Sequence, residues 1–386
     1  MSIFCRIEPA VPRLRRLPYP YRGALSIAGD AEGFSAEFFE TLMAFLNSRG
    51  QTRFGIGLGL EVTASLFFYD RSRTSLAYFA DDAPGARRSR HADRLDDYLR
   101  AGWIDTNHAF GNFDGGGGFR RAHAEHAYEA LARAGAVLPV FTNHGSADNI
   151  QNIGRDADYH RGDRPGDAAY HVDLFSAQGV RFAWTDGLYI ERPAAEAVPL
   201  LLSTELQDGS IINGFRRVRG TGANAPNLTS LGTQIGLLSW EQLYAEGGVV
   251  VLYQHLGVLH KAQGQLTPAT IEAVAARPDV CLAPFRRLAR ERDEGRLWVA
   301  GLARLLRYAD AVSRVSLSGG QGCGVIELHD GPGPPLDPGG LTLYIDPALP
   351  VSLVYRKRSL PFWYNGPDET GRYSVTVAWT PLEEIW

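Results

Sequence analysis

LSIAGDAEGFS, residues 25–35, opens as the short apolar run of a buried strand and breaks into two carboxylates, Asp30 and Glu32, closed by Gly33. Acids and glycine are also ordinary punctuation at a strand end. Ser35 is placed to cap a helix over AEFFETLMAFLNSRG, residues 36–50. Whether the two acids are a turn or a site depends on what other strand ends bring to them.

Outwards from this stretch the same order repeats. ASLFFYD (64–70) reads as a strand and HADRLDDYLRAG (91–102) as a helix; WIDTNHAF (103–110) is strand-like and FRRAHAEHAYEALARAG (119–135) helix-like. LPVFTNHG (138–145), GVRFAWTD (179–186) and GGVVVLYQHLG (247–257) follow as further strands. Strand-then-helix order implies a parallel sheet covered by helices, open or closed into a barrel, with chemistry gathered where strands end.

After LWVAGLARLLRYADAVSRV (297–315), read as a helix, the texture changes. CGVIELHD, LTLYID, PVSLVYRK and YSVTVAWTP alternate with Gly/Pro clusters such as GPGPPLDPGG, and no helical pattern separates them. Two units are expected: residues 1–314, an α/β unit with an N-terminal extension, and residues 315–386, a small antiparallel β domain. The glycine run 115–118 and the stretch 219–227 are the expected loops.

A hydrophobic fraction of 45% and a formal charge of −4 over 386 residues are those of an ordinary globular protein, with no broad cationic face for nucleic acid. Arginines and prolines interrupt the N-terminus where a secretory signal needs a continuous apolar core, and no stretch has the length of a membrane span, so a cytoplasmic location is expected. Cys5, Cys281 and Cys323 are far apart and lack CxxC spacing, so any metal must be held by His and carboxylate.

Polar residues cluster at the strand ends: Asp30 and Glu32; Asp105, Asn107 and His108, with Asn112 four residues on; Asn143 and His144; and His255. Acid, His, His and His from four ends is what a mononuclear nitrogen and oxygen site requires, three protein ligands and one open position. His123 and His126 stand three apart on a helix and read as part of its polar face. The amides of NHGSADNIQN, including Asn143 and Asn149, suit a hydroxyl-rich substrate; Trp184 and Asp186 would shape a pocket, and Arg216 in FRRVRG would meet an anionic group on it.

The spacing resembles that of the polysaccharide deacetylase family, also called the NodB-homology or family 4 carbohydrate esterases. The resemblance runs over roughly residues 22–260. GDAEG is similar to the family's acid-x-acid motif, and VVVLYQHLG to its strand ending in x-His. HAFGN stands where the family has His-Ser/Thr-x-x-His, with Asn112 in place of the second histidine; LARAGAVLPVFTNHGS lacks the arginine of the third motif. The resemblance implies a distorted (β/α)7 barrel, Asp30 as general base, Glu32 and His108 as metal ligands, and His255 as general acid. Either His144 or the Asn112 carboxamide would complete the ligand set, His144 being the better donor.

The function so implied is hydrolysis: an acyl group removed, with one divalent metal, from an amide on a sugar-like small molecule or lipid-linked glycan. Zinc suits the donors best, with cobalt, nickel, manganese or iron as alternatives. A homo-oligomer is compatible with this reading. The opposing readings are a degenerate barrel that binds carbohydrate or a protein, and a hydrolase of another non-peptide C–N bond.

Overall fold

The computed structural model describes residues 13–70, 75–113, 118–145, 149–190, 199–220, 225–262, 265–319, 324–380 and 382. Cys5, Cys323 and much of the two expected loops lie outside the described residues. Among the described residues the main sheet has eleven strands. In chain order they are β1 (Gly23–Gly29), β2 (Ala64–Leu66), β3 (Ile104–His108), β4 (Val140–Thr142), β5 (Phe182–Trp184), β6 (Tyr189–Ile190), β7 (Leu201–Glu205), β8 (Ile211–Phe215), β9 (Arg217–Val218), β10 (Val249–Gln254) and β11 (Leu297–Val299). The long helices are α1 (Ala36–Asn47), α2 (Ala92–Arg100), α3 (Arg121–Ala134), α4 (Ala283–Asp293) and α5 (Leu302–Arg314).

The strands lie in the order β6-β9-β10-β1-β2-β3-β4-β5-β8-β7, and β11 adds to the first half of β1. Every ladder is parallel except β7–β8. β8 pairs with β5 and β9 with β10, yet only Arg216 separates β8 from β9 in the chain. The sheet therefore curls until its two flanks meet in one run of backbone, a mixed α/β, barrel-like arrangement.

β1 shows why the sequence folds this way. All seven of its residues are buried, as expected of a parallel strand covered on both faces. Leu25 and Ile27 join Phe38, Leu42 and Phe45 of α1 in one apolar cluster, while Ala24 and Ala28 face inward with Trp184, Phe215, Val251 and Trp298 in a second. The expected cap is present: the Ser35 hydroxyl accepts from the Phe38 N–H at 3.1 Å and starts α1.

Two local readings are corrected. LWV, expected as helix, is β11, laid against Gly23–Leu25; the helix starts only after Gly301. Its first turn is held beneath the sheet, where Leu302 N–H donates to Thr63 Oγ1 and Ala303 N–H to Asp105 Oδ2. Asp105 thus anchors α5 instead of facing the mouth. ASLFFYD, expected as one strand, divides: after β2 a second short strand, Tyr69–Asp70, pairs with Gly111–Asn112.

Among the described residues the C-terminal region forms one four-stranded sheet and three strands of a second, whose fourth strand is Arg13–Leu14. It is not wholly antiparallel, because Val325–His329 and Ser352–Tyr355 run parallel. The intervening strand Thr342–Tyr344 goes to the other sheet, and that excursion supplies the crossover a parallel pair needs. There it pairs with Arg13–Leu14, and the buried Arg15 guanidinium donates to the carbonyls of Leu17 and Pro18. The apolar cluster inside the curl continues through α5 to Leu343, Leu353 and Val375, so the packing runs across the boundary expected at 314/315. No helix among the described residues is long and apolar enough to cross a membrane.

The turn after His108 is strained. Ala109 and Phe110 have φ of 46° and 59°, and Gly111 has φ of 151°. A Cβ on Gly111 would stand 2.0 Å from the Tyr69 carbonyl oxygen. Gly111→Ala is expected to lower stability by at least about 2 kcal/mol in urea unfolding followed by circular dichroism. Gly50→Ala, where a Cβ meets nothing within 4 Å, should stay within about 0.5 kcal/mol of wild type.

Candidate metal centre

β1 delivers Asp30 to the interior. Its N–H continues the ladder by donating to the Gln254 carbonyl at 2.7 Å, and its side chain shares the inward face of Ala24 and Ala28. Only 3% of Asp30 is exposed, so its charge needs a partner, and Arg217 Nη1 donates to Oδ1 at 2.9 Å. The guanidinium carbon lies 3.7 Å from the Trp184 ring centroid and 4.3 Å from that of Tyr253. Its flat faces suit such stacking, which a lysine could not reproduce. Burial works against the Arg217 charge, but Asp30 prevails and its pKa is raised.

Glu32 stands two residues further, where the loops after β1 and β10 touch. A Cβ on Gly257 would lie 2.4 Å from the Glu32 carbonyl oxygen, so glycine permits the approach. Three imidazoles converge on one oxygen, Glu32 Oε1: His144 Nε2 at 3.2 Å, His255 Nε2 at 3.5 Å and His108 Nε2 at 3.6 Å. Burial alone would raise the Glu32 pKa, yet His255 and His108 hold it well below the ordinary carboxylate value. Burial likewise opposes charge on His255, and Glu32 reverses this, raising the His255 pKa.

Each ring is aimed from behind. His108 Nδ1 is 2.8 Å from Thr142 Oγ1, Asn149 Nδ2 is 2.9 Å from His144 Nδ1, and His255 Nδ1 is 2.7 Å from the Pro226 carbonyl oxygen. Phe67 stacks on His108 and meets His144 edge-on, which fixes the angle between the two rings. Partners at Nδ1 that turn Nε2 toward a common point are the support that metal-ligating histidines use.

Two groups of donors lie within 4.8 Å of one another and could hold an ion: Glu32, His108 and His144; and Asp30, Glu32 and His255. His108 Nε2 and Glu32 Oε2 are buried and have no hydrogen-bond partner among the described residues. Such atoms carry a desolvation cost that an ion at this point would remove. The donor set therefore fits a divalent cation.

The other expected residues fall into place differently. Asn112 is half-buried on the strand paired with Tyr69–Asp70, after a turn in which Ala109 and Phe110 take left-handed backbone conformations. Asn149, expected at the substrate, is fully buried behind His144. Asn143 is also buried; it donates to Ile153 O and to Asp186 Oδ2. Trp184 is buried over Arg217. Asp186 remains 28% exposed at the rim, with His160 Nε2 3.3 Å away, and its pKa is lowered: burial opposes this, while hydrogen bonds from His160 and Asn143 prevail. Arg216 lies between β8 and β9 with its neighbour Arg217 turned inward to Asp30, so the arginine that reaches the centre is the one not singled out. Strand alternation within FRRVRG held the only sequence signal for that choice.

The chain matches no protein-family model and no curated protein.

Arg217→Met strands a buried carboxylate and is expected to cost about 3–5 kcal/mol in thermal or urea unfolding. The double variant Arg217→Met/Asp30→Asn should cost less than the sum of the two single losses by more than about 1 kcal/mol, the coupling in a double-mutant cycle.

Proposed function

We propose that the chain is a metal-dependent hydrolase of the polysaccharide deacetylase type, its curled sheet a distorted (β/α)7 barrel, and that it removes an acyl group from an amide nitrogen on a sugar-like or lipid-linked substrate. The observation that carries this reading is the convergence of three imidazole Nε2 atoms on Glu32 Oε1, beside a second carboxylate tied to a buried guanidinium.

Glu32, His108 and His144 would hold the ion. A divalent cation supplies Lewis acidity at the acyl oxygen and lowers the pKa of water to about 7. Zinc is the ion such nitrogen-rich donors suit best, and cobalt, nickel, manganese and iron accept the same set. Asp30 acts as general base through Oδ2, which lies 3.6 Å from His108 Nε2, while Arg217 keeps Oδ1 and fixes the plane of the carboxylate. Asp186, held by Asn143, offers a fixed acceptor at the rim for a substrate hydroxyl. The family resemblance assigns proton donation to His255.

Elemental analysis of the purified protein tests the reading. About one equivalent of a transition metal is expected in the wild type, lost in Glu32→Ala, His108→Ala and His144→Ala and kept in Asp30→Asn. Asp30→Asn should also lower turnover of an acylated amino sugar by about 10²–10⁴-fold. Absence of bound ion even after zinc addition would overturn the hydrolase and leave a barrel that binds its ligand without chemistry.

A further inference from the structure

We propose that the cavity between the N-terminal ends of β2, β3 and β4 and the C-terminal sheet is a second ligand site, one that takes a small molecule carrying a phosphate or carboxylate on a flat ring. It lies apart from the metal centre and does not depend on what that centre does.

Position is the first ground. The candidate centre draws on residues at or just after the C-terminal ends of β1, β3, β4 and β10. The cavity, about 470 Å³ in volume, is bordered instead by Thr63 just before β2, Ile104 at the start of β3 and Pro139 just before β4. Ile104 and His108 are the two ends of β3, so the length of that strand, about 13 Å, separates the two places. The opposite wall comes from the first turns of α5 and from the C-terminal region, with Val377 and Trp379. A cavity of this size between two packed units is a usual place for a small ligand.

Charge is the second. Three arginines line the cavity: Arg100, Arg304 and Arg307. Arg100 is paired with Asp97 at 2.5 Å; Arg304 has Nε 2.8 Å from Glu61 Oε2 and donates to the Thr380 carbonyl. Arg307, half-buried and three residues further along α5, makes no hydrogen bond or ion pair with any described residue. The two acids of the lining are engaged elsewhere. Asp105 accepts from Ala303 N–H and from the Thr106 hydroxyl, each at 2.8 Å, and Asp337 accepts from Gly339 N–H at 3.1 Å. Burial also raises the Asp105 pKa against the pull of its hydrogen bonds, which weakens it as a standing counter-charge. A half-buried guanidinium in this setting has its planar fork of donors to offer to a phosphate or carboxylate.

The third ground is the apolar part of the lining. Trp379 is half-buried there and meets Trp363 edge-on, with ring centroids 5.5 Å apart. Gly339 and Gly340 permit its seat, since a Cβ on either would stand 3.2 or 2.9 Å from the Trp379 side chain. Leu99, Val137 and Leu360 add aliphatic surface. Tyr308 belongs to the same lining, and its buried hydroxyl has no hydrogen-bond partner among the described residues. An indole and an unpaired guanidinium in one cavity suit a flat ring that bears an anion.

Phenyl phosphate serves as the probe, titrated into the purified protein by isothermal titration calorimetry. One site with a Kd of about 1 mM or tighter is expected, and phenol and inorganic phosphate should each bind at least about tenfold more weakly, because each lacks one half of the recognition. Arg307→Gln should weaken phenyl phosphate by about tenfold or more, and Trp379→Leu by about fivefold, with circular dichroism unchanged. His108→Ala should keep the wild-type affinity within about twofold, which places the probe away from the metal centre. Absence of saturable binding up to about 20 mM, or an affinity unchanged within about twofold in Arg307→Gln, would overturn the proposal. Loss of binding in a folded His108→Ala would also overturn it, by assigning the probe to the centre.

Discussion

A carboxylate and a guanidinium, Asp30 and Arg217, are buried together inside the curl of the sheet, and much of the molecule is arranged around keeping them there. Neither charge could be left alone at that depth. Asp30 is inward because β1 alternates strictly, Leu25 and Ile27 to the helices, Ala24 and Ala28 to the interior. Arg217 is inward because β9 turns it between Trp184 of β5 and Tyr253 of β10. The pair thus ties β1 to the place where the flanks of the sheet meet, and the aromatic rings on either side of the guanidinium come from the strands being joined. One interaction serves closure and also fixes a carboxylate beside the candidate centre.

Glu32 depends on that frame. It lies off the strand, where two loops pass at backbone contact, and its single oxygen gathers rings from three strand ends. A cluster of this kind is costly in itself: buried atoms of Glu32 and His108 have no hydrogen-bond partner among the described residues, and Ala109 and Phe110 sit in left-handed conformations. Strain and orphaned polar atoms concentrated within a few ångströms are characteristic of sites shaped for a ligand instead of for stability.

Much of the frame was legible in the sequence because parallel strands buried on both faces read as apolar runs, and the helices between them carry clear periodicity. Ser35 as a cap and the grouping of Glu32, His108 and His144 could be read the same way. What escaped was whatever depends on the parity of very short segments. Arg217 opens a two-residue strand and Arg216 lies just before it, and alternation over so few residues is a weak signal. LLSTE and IINGF form the antiparallel pair β7–β8 at one flank, yet neither carries a sustained alternation long enough to announce it. LWV merged with a following helix because apolar residues continue across Gly301. Backbone contributions were invisible by nature: no side-chain pattern could point to the Pro226 carbonyl behind His255.

The strand Arg13–Leu14 has a bearing on how the chain must be made. Its partner is Thr342–Tyr344, and the neighbouring Arg15 N–H donates to the Thr342 carbonyl, with its guanidinium near Asp368. On a ribosome the first of these residues emerge long before the last, so the amino-terminal strand waits unpaired while the sheet, its helices and α5 are synthesised. The sheet that takes up this strand can be completed only after the residues up to Val377 have been synthesised. Its assembly joins the most distant contacts in the described chain, a late step in the order of folding.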